Sequence, residues 1–268
     1  MKPLDFNNKW ILVTGASSGL GYEMARQLAH QYKANLVITA RRADKLNQLK
    51  AELEQQVGVQ VKVLVADMSV PDDVERLIAF SLQGQDLYGA ILNAGVTYFG
   101  PHTELSQSEF ERIVQTNVMS VSRMTSAFVN HFEQTGKEGG LMVVSSMAAM
   151  FPVPYQAAYS GTKGFILNFI NALSAELKNK KFSLTVYAPG GIATEMTEGE
   201  KFNDLKSWLM PVAQAAKEGI GALQNRHFIH IPGALNRIGS RFMKLLPRKF
   251  MIGQLGKTYQ KSLDKLKK

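Results

Sequence analysis

Short runs rich in Val, Ile, Leu and Thr recur along this chain, each separated from the next by an amphipathic stretch of helical length, and that alternation limits the fold more than any other feature. The runs fall at 10–14, 35–40, 59–66, 87–93, 141–145 and 183–188. Helical patterns lie between them near 20–32, 43–57, 71–83, 107–134 and 157–179. Strands that alternate with helices of this length pair in parallel through right-handed crossovers. The expected fold is α/β, a Rossmann-type doubly wound parallel sheet in a three-layer α/β/α arrangement. Ligands of such sheets bind at the carboxyl ends of the strands.

A chain of 268 residues suits one domain of this kind. We expect a single catalytic domain over 1–233, followed by a distinct tail over 234–268. The chain has no cysteine, which excludes disulfides, thiolate metal sites and cysteine nucleophiles. The first ten residues lack the apolar core of a signal peptide. No apolar run reaches the roughly 18 residues of a membrane span, so the expectation is a cytoplasmic protein.

The turn after the first run reads Thr14-Gly15-Ala16-Ser17-Ser18-Gly19-Leu20-Gly21. Glycine permits a tight turn and lets the backbone approach a pyrophosphate, whose charge meets the N–H groups opening the next helix. The turn lacks a Gly-Lys-Ser/Thr ending, which argues against a Walker-type ATP loop. At the end of the second run, Thr39-Ala40-Arg41-Arg42 offers no acid for a ribose 2′-hydroxyl and two arginines for a 2′-phosphate. A basic pair at a helix N-terminus opposes the helix dipole and so invites an anionic partner. Asp67 ends the third run, where it can accept from an adenine amino group. Asn93-Ala94-Gly95 ends the fourth, with Asn93 bracing the central strand.

Tyr159 and Lys163 stand four apart and share one face of a helix. A phenol with a pKa near ~10 must be lowered by roughly 4 kcal/mol to act as a base at neutrality. One charge at about 4 Å in a dielectric near 20 supplies that much, so the spacing predicts that Lys163 alone poises Tyr159. Ser146 follows the fifth run, where its hydroxyl can hold a carbonyl oxygen against the phenol. Met147, Met150, Phe151, Val153 and Tyr155 occupy the stretch between them and suggest an apolar substrate. Asn117 lies inside an otherwise amphipathic helix, as a satisfied core amide or as the carrier of a water.

Together these residues resemble the short-chain dehydrogenase/reductase family, in the subgroup with a Thr-Gly-x-x-x-Gly-x-Gly turn and a Tyr-x-x-x-Lys pair. The likeness runs over residues 8–195, through Asp67, Asn93-Ala94-Gly95, Asn117, Ser146, Tyr159, Lys163 and Pro189-Gly190, followed by Thr194. It implies an oxidoreductase that interconverts a carbonyl and a secondary alcohol on an apolar small molecule. Asn117, Ser146, Tyr159 and Lys163 would form a catalytic tetrad, with Tyr159 as general acid/base. Lys163 would hold the nicotinamide ribose and, with a water on Asn117, return the proton to Tyr159. The turn residues Gly15, Ser17, Ser18, Gly19, Leu20 and Gly21 would take the pyrophosphate, and Asp67 and Met68 the adenine. Pro189, Gly190, Ile192 and Thr194 would face the nicotinamide carboxamide. Arg at position 41, beside Arg42, goes with NADP(H) rather than NAD(H) in the family. The resemblance further implies a mobile substrate lid over 194–209 and a homodimer or homotetramer.

Two other classes fit parts of the chain: a catalytically silent NADP-binding sensor, and a protein acting through its basic tail at a membrane or on a partner. The net charge is +9, yet the tail holds ten of the 31 Lys and Arg and one of the 22 acids, which leaves 21 of each upstream. A balanced body is unlike a nucleic-acid binder. On either side of Pro247 the apolar residues recur every three or four, predicting two short amphipathic helices. Their apolar face either closes the substrate pocket or an oligomer interface, or lies peripherally on an anionic bilayer. His227 and His230 are expected to point to opposite sides of a strand, and no metal is expected.

Overall fold

The computed structural model describes residues 1–198 and 209–264. Its middle layer is a parallel sheet of β1 (Trp10–Thr14), β2 (Asn35–Ala40), β3 (Val61–Val65), β4 (Leu87–Leu92), β5 (Gly139–Val144), β6 (Phe182–Tyr187) and β7 (Ile229–His230). The seven strands lie in the order β3-β2-β1-β4-β5-β6-β7. The helices are α1 (Gly19–Tyr32), α2 (Ala43–Val57), α3 (Pro71–Leu82), α4 (Gln107–Val114), α5 (Ser120–Thr135), α6 (Ala157–Glu176), α7 (Val212–Gln224), α8 (Ala234–Met243) and α9 (Arg248–Asp264).

Alternation along each strand sends its side chains into two cores. Ile11 and Val13 of β1 pack with Leu28 of α1, Leu49 of α2 and Ile220 of α7, while Leu12 faces Val74 of α3, Phe128 of α5 and Ile166 of α6. Both faces of a parallel sheet are thereby covered, which is why its central strands are apolar throughout. Local chemistry sets the helix ends. Lys33, Gly58 and Gly136 stop α1, α2 and α5 in the left-handed conformation. Pro71 opens α3, with Asp72 and Asp73 in its first turn.

The structure departs from the sequence reading in one place that matters for the site. The stretch expected as one helix over 107–134 is α4 and α5 joined by a π-helical turn, Gln115–Met119, with Asn117 at its centre. The hydroxyls of Ser120 and Ser122 bond the Thr116 and Val118 carbonyls at 2.7 Å within this widened turn. Such a turn leaves the apolar periodicity on either side intact, so pattern alone does not reveal it.

The tail is packed on the body. Glu218 of α7 accepts from the Gly233 N–H at 2.9 Å and from Arg237 of α8 at 2.8 Å. Burial pushes the Glu218 carboxyl up, but these bonds and those from Gln214 and His230 prevail and hold it at about 2. His227 and His230 do not diverge as expected: their rings stack 5.4 Å apart, with Nδ1 atoms 3.3 Å from each other. β7 is only two residues long, so His227 sits in the preceding turn and strand alternation does not apply to it. Among the described residues no cluster of metal-ligating side chains occurs.

The chain reverses direction across the sheet at β1, which pairs with β2 on one side and β4 on the other. Connections leave the two strands in opposite senses and open a crevice at their carboxyl ends. Thr14 braces this point. Its Oγ1 accepts from the N–H groups of Asn93 and Ala94, both at 3.0 Å, and its carbonyl accepts from Asn93 Nδ2 at 3.1 Å. Thr14→Val keeps the shape but leaves two backbone donors without an acceptor, each costing about 1–3 kcal/mol. We expect a lower denaturation midpoint at unchanged slope; a loss below about 0.5 kcal/mol would show that the brace is dispensable.

Candidate active site

A cavity of about 900 Å3 occupies the crevice, toward the upper end of the range of about 300–1,000 Å3 usual for small-molecule sites. It runs from Arg41 and Arg42 past the glycine turn to Ser146 and Tyr159, and ends against α8 and α9. Of the residues singled out in the sequence, Gly15, Ser17, Ser18, Gly19, Leu20, Arg41, Arg42, Asp67, Met68, Asn93, Ala94 and Gly95 all line it. So do Ser146, Tyr159, Lys163, Pro189, Gly190, Ile192 and Thr194. Gly21 and Asn117 stand behind the wall. Within the apolar stretch before Tyr159, Met147, Phe151 and Val153 face the cavity, whereas Met150 and Tyr155 do not.

The glycine turn is fixed by contact. Gly15 is left-handed (φ +71), and a Cβ there would lie 2.9 Å from Asn93 Nδ2; one on Gly21 would collide with the Gly15 carbonyl. Ser18 caps α1 without a side-chain bond, and the first turn holds no acid. The opening N–H groups of α1 are therefore left for an anion. This cradle fits the pyrophosphate of a dinucleotide.

The two arginines differ. Arg41 has its side chain 63% exposed, with only a 4.0 Å approach to Asp67. Arg42 is engaged by Ser17 Oγ at 3.3 Å, the Ser17 carbonyl at 3.2 Å and Glu195 at 3.0 Å. Arg42 holds the Glu195 carboxyl below its usual range. Asp67 is partly committed to its own turn, since Oδ1 accepts from the Ser69 N–H and hydroxyl, both at 2.8 Å.

At the far end, Ser146 Oγ accepts from the Ala148 N–H at 3.1 Å and donates to the Pro189 carbonyl at 3.4 Å, and Ser146 and Tyr159 line the cavity together. Lys163 is buried, donates to the Val144 carbonyl at 2.8 Å and lies 5.7 Å from the centre of the Tyr159 ring. Burial raises the Tyr159 phenol, partly opposed by the Ser146 hydrogen bond. Burial also lowers the Lys163 ammonium from 10.5 to about 8. Lys163 alone therefore does not poise Tyr159: the desolvation that a spacing argument omits works against both charges. Asn117, fully buried, accepts from the Val96 N–H at 2.9 Å and donates to the Val96 carbonyl at 2.8 Å and Thr162 Oγ1 at 3.1 Å. Thr162 in turn donates to the Tyr159 carbonyl at 2.7 Å. Both amide hydrogens are spent, which leaves Asn117 no side-chain donor for a water.

Sequence reasoning missed Glu195, Arg112 and Thr116, and it missed Tyr259 of α9. Tyr259 lines the cavity, packs edge-on against Phe99 with ring centres 5.4 Å apart, and adds to the upward push on Tyr159. Its spacing from Met251, Leu255 and Ser262 was the available signal. The middle of the expected lid, 199–208, lies outside the described residues.

Residues 9–204 match the family model for short chain dehydrogenase. The chain belongs to this family. It is 31% identical over 196 residues to the very-long-chain 3-oxoacyl-CoA reductase of Anas platyrhynchos, covering 72% of this chain and 62% of that one. Against the 17-beta-hydroxysteroid dehydrogenase type 3 of Mus musculus it is 31% identical over 192 residues, 71% of this chain and 62% of the relative. The chain thus spans less than two thirds of the length of these relatives. Among solved structures, a short-chain dehydrogenase from Sphingobium yanoikuyae in complex with NADPH superposes with a TM-score of 0.81 at 25% identity, over 88% of this chain and 92% of that one. No helix among the described residues is long and apolar enough to cross a membrane.

The buried lysine has a pH signature. Between about pH 8 and 10.5 the unfolded chain binds a proton at Lys163 that the folded chain does not, so this group's contribution to stability rises with pH. The stability of the cofactor-free protein relative to Lys163→Met is expected to improve by about 3 kcal/mol between pH 7 and pH 10.5. A pH-independent difference in denaturant titrations would mean that Lys163 stays solvated.

Proposed function

We propose that the protein is an NADP(H)-dependent oxidoreductase interconverting a carbonyl and a secondary alcohol on an apolar small molecule. The observation that carries this reading is one cavity lined by Ser146, Tyr159 and Lys163 at one end and by a phosphate cradle beside an exposed arginine at the other. A nicotinamide cofactor seated there supplies or accepts the hydride. The protein's own groups do the rest.

Ser146 is fixed by the Ala148 N–H, so its hydroxyl and that of Tyr159 converge on one substrate oxygen. With its pKa raised by burial, Tyr159 carries its proton at neutral pH and serves as general acid in the reducing direction. Lys163 supports the same site from the floor; with a pKa near 8 it can exchange a proton close to neutrality. Asn117 acts as a positioning residue, tying the 95–96 loop to α6 through Val96 and Thr162. Apolar Met147, Phe151, Val153, Met243 and Leu255 line the substrate end. The names of the reductase and steroid-dehydrogenase relatives agree with an apolar substrate.

Tyr159→Phe removes the acid and leaves the ring packed, so turnover should fall by about 10²–10⁴ while NADPH still binds, as read by fluorescence titration. A variant that keeps half the wild-type rate in a chemistry-limited assay would refute the assignment. Arg41 is the group for the 2′-phosphate, because Arg42 is already engaged by Ser17 and Glu195. Arg41→Ala should remove most of a roughly ten- to hundredfold preference for NADP(H) over NAD(H). Equal affinities of the wild type for the two cofactors would sink this assignment alone.

A further inference from the structure

α8 is a thin wall. Asn236, Gly239, Ser240 and Met243 face the cavity. On the opposite side, Ile238, Phe242 and Leu245 recur at three- and four-residue spacing, with Leu235 at the edge between the two sides, and Leu246 and Phe250 continue the patch around Pro247. Leu235, Phe242 and Leu245 are 86%, 67% and 81% exposed. Surface apolar residues scattered singly need no explanation, but a contiguous patch marks a contact site.

The charges around this patch select what covers it. Arg241, Lys244, Arg248 and Lys249 are exposed, and none of the four has an ion pair among the described residues. From 234 to 263 the chain carries no acid at all. A second copy docking through the same face about a two-fold axis would set these cations against their own kind. An apolar face ringed by unpaired Lys and Arg instead matches the headgroup region of an anionic bilayer, where chains enter the acyl boundary and cations meet phosphate. Leu235 also lines the cavity, so the patch is continuous with the mouth of the substrate site.

We propose that the outer face of α8, the 244–247 turn and the first residues of α9 dock on an anionic lipid surface, so that an apolar substrate enters the cavity past Leu235 directly from the bilayer. The docking stands on the tail alone; the delivery rests on the function proposed above. Arg237 contributes little to docking, because Glu218 already holds it at 2.8 Å.

The test is co-sedimentation of the full chain with phosphatidylcholine vesicles, with and without phosphatidylserine. Binding is expected only to the anionic vesicles and should weaken as salt rises. Phe242→Ser/Leu245→Ser should abolish it, and Arg241→Gln/Lys244→Gln/Arg248→Gln should lower the partition coefficient on the order of a hundredfold. None of these five side chains lines the cavity. The Ser variant should therefore keep its rate on a water-soluble carbonyl and lose rate only on a lipophilic one presented in vesicles. Protein that stays in the supernatant with anionic vesicles at low salt overturns the proposal. So does self-association, seen by sedimentation velocity, that the Ser variant dissolves. Because vesicle binding is read without turnover, an inactive but vesicle-bound protein would count against the proposed chemistry and not against docking.

Discussion

A buried ammonium held by a single backbone carbonyl is the interaction on which the site depends. Lys163 donates to Val144 at the end of β5, and the hydroxyl of the next residue, Ser145, donates back to the Lys163 carbonyl at 2.9 Å. This reciprocal pair locks α6 to the strand that carries Ser146. It thereby sets the distance between the Ser146 and Tyr159 hydroxyls. The ammonium also crowds the 93–95 loop: a Cβ on Gly95 would lie 3.4 Å from Nζ and 3.3 Å from Asn117 Oδ1. A side chain at Gly95 would press on the floor of the site from the opposite side. The lowered pKa of Lys163 is the electrostatic cost of placing the cation there.

Most of the fold was legible because its elements are governed by short-range patterns. The apolar runs locate β1 to β6 within two residues at each end, and the 43–57 pattern is α2 to the residue. A strand was expected through His227 and His230, and β7 is its last two residues; α7 was not read from the sequence. The strand is shorter than expected, because only Ile229 and His230 pair with β6. The small residues of α7, Ala215, Ala216, Gly219 and Ala222, bury a face that apolar counting does not weigh. A side chain at Gly219 would displace the end of the Met24 side chain of α1 and press on the Tyr187 ring.

The gathering of the named residues around one cavity was legible, and their electrostatics were not. The glycine turn, Asn93, Ser146, Tyr159 and Lys163 lie at strand ends or on one helix face, which spacing specifies. The state of a titratable group depends on everything around it, including chain far away in sequence. Lys163 at one helical turn from Tyr159 suggested a lowered phenol, but burial raises the phenol and lowers the ammonium. Asn117 shows the same limit. Its position was evident, but the π turn and the Val96 and Thr162 bonds that absorb its amide are tertiary facts.

Both ends of the cavity are completed by segments remote from the glycine turn. At the cradle end Glu195, at the start of the expected lid, reaches back 153 residues to Arg42. An anion arriving beside Arg42 must compete with that carboxylate, so occupancy of the cradle and the position of residue 195 are linked by one ion pair. At the substrate end α9 brings Tyr259 against Phe99, and a side chain on Gly256 would meet Pro154 at 3.3 Å. The tail is therefore both wall and surface. Its inner face supplies part of the substrate end, and its outer face keeps the apolar residues that the body does not cover. Bulk added on the inner side of α8 would narrow the cavity, whereas Ile238, Phe242 and Leu245 do not line it. On a helix of ten residues, Leu235 alone belongs to both the cavity lining and the exposed apolar patch.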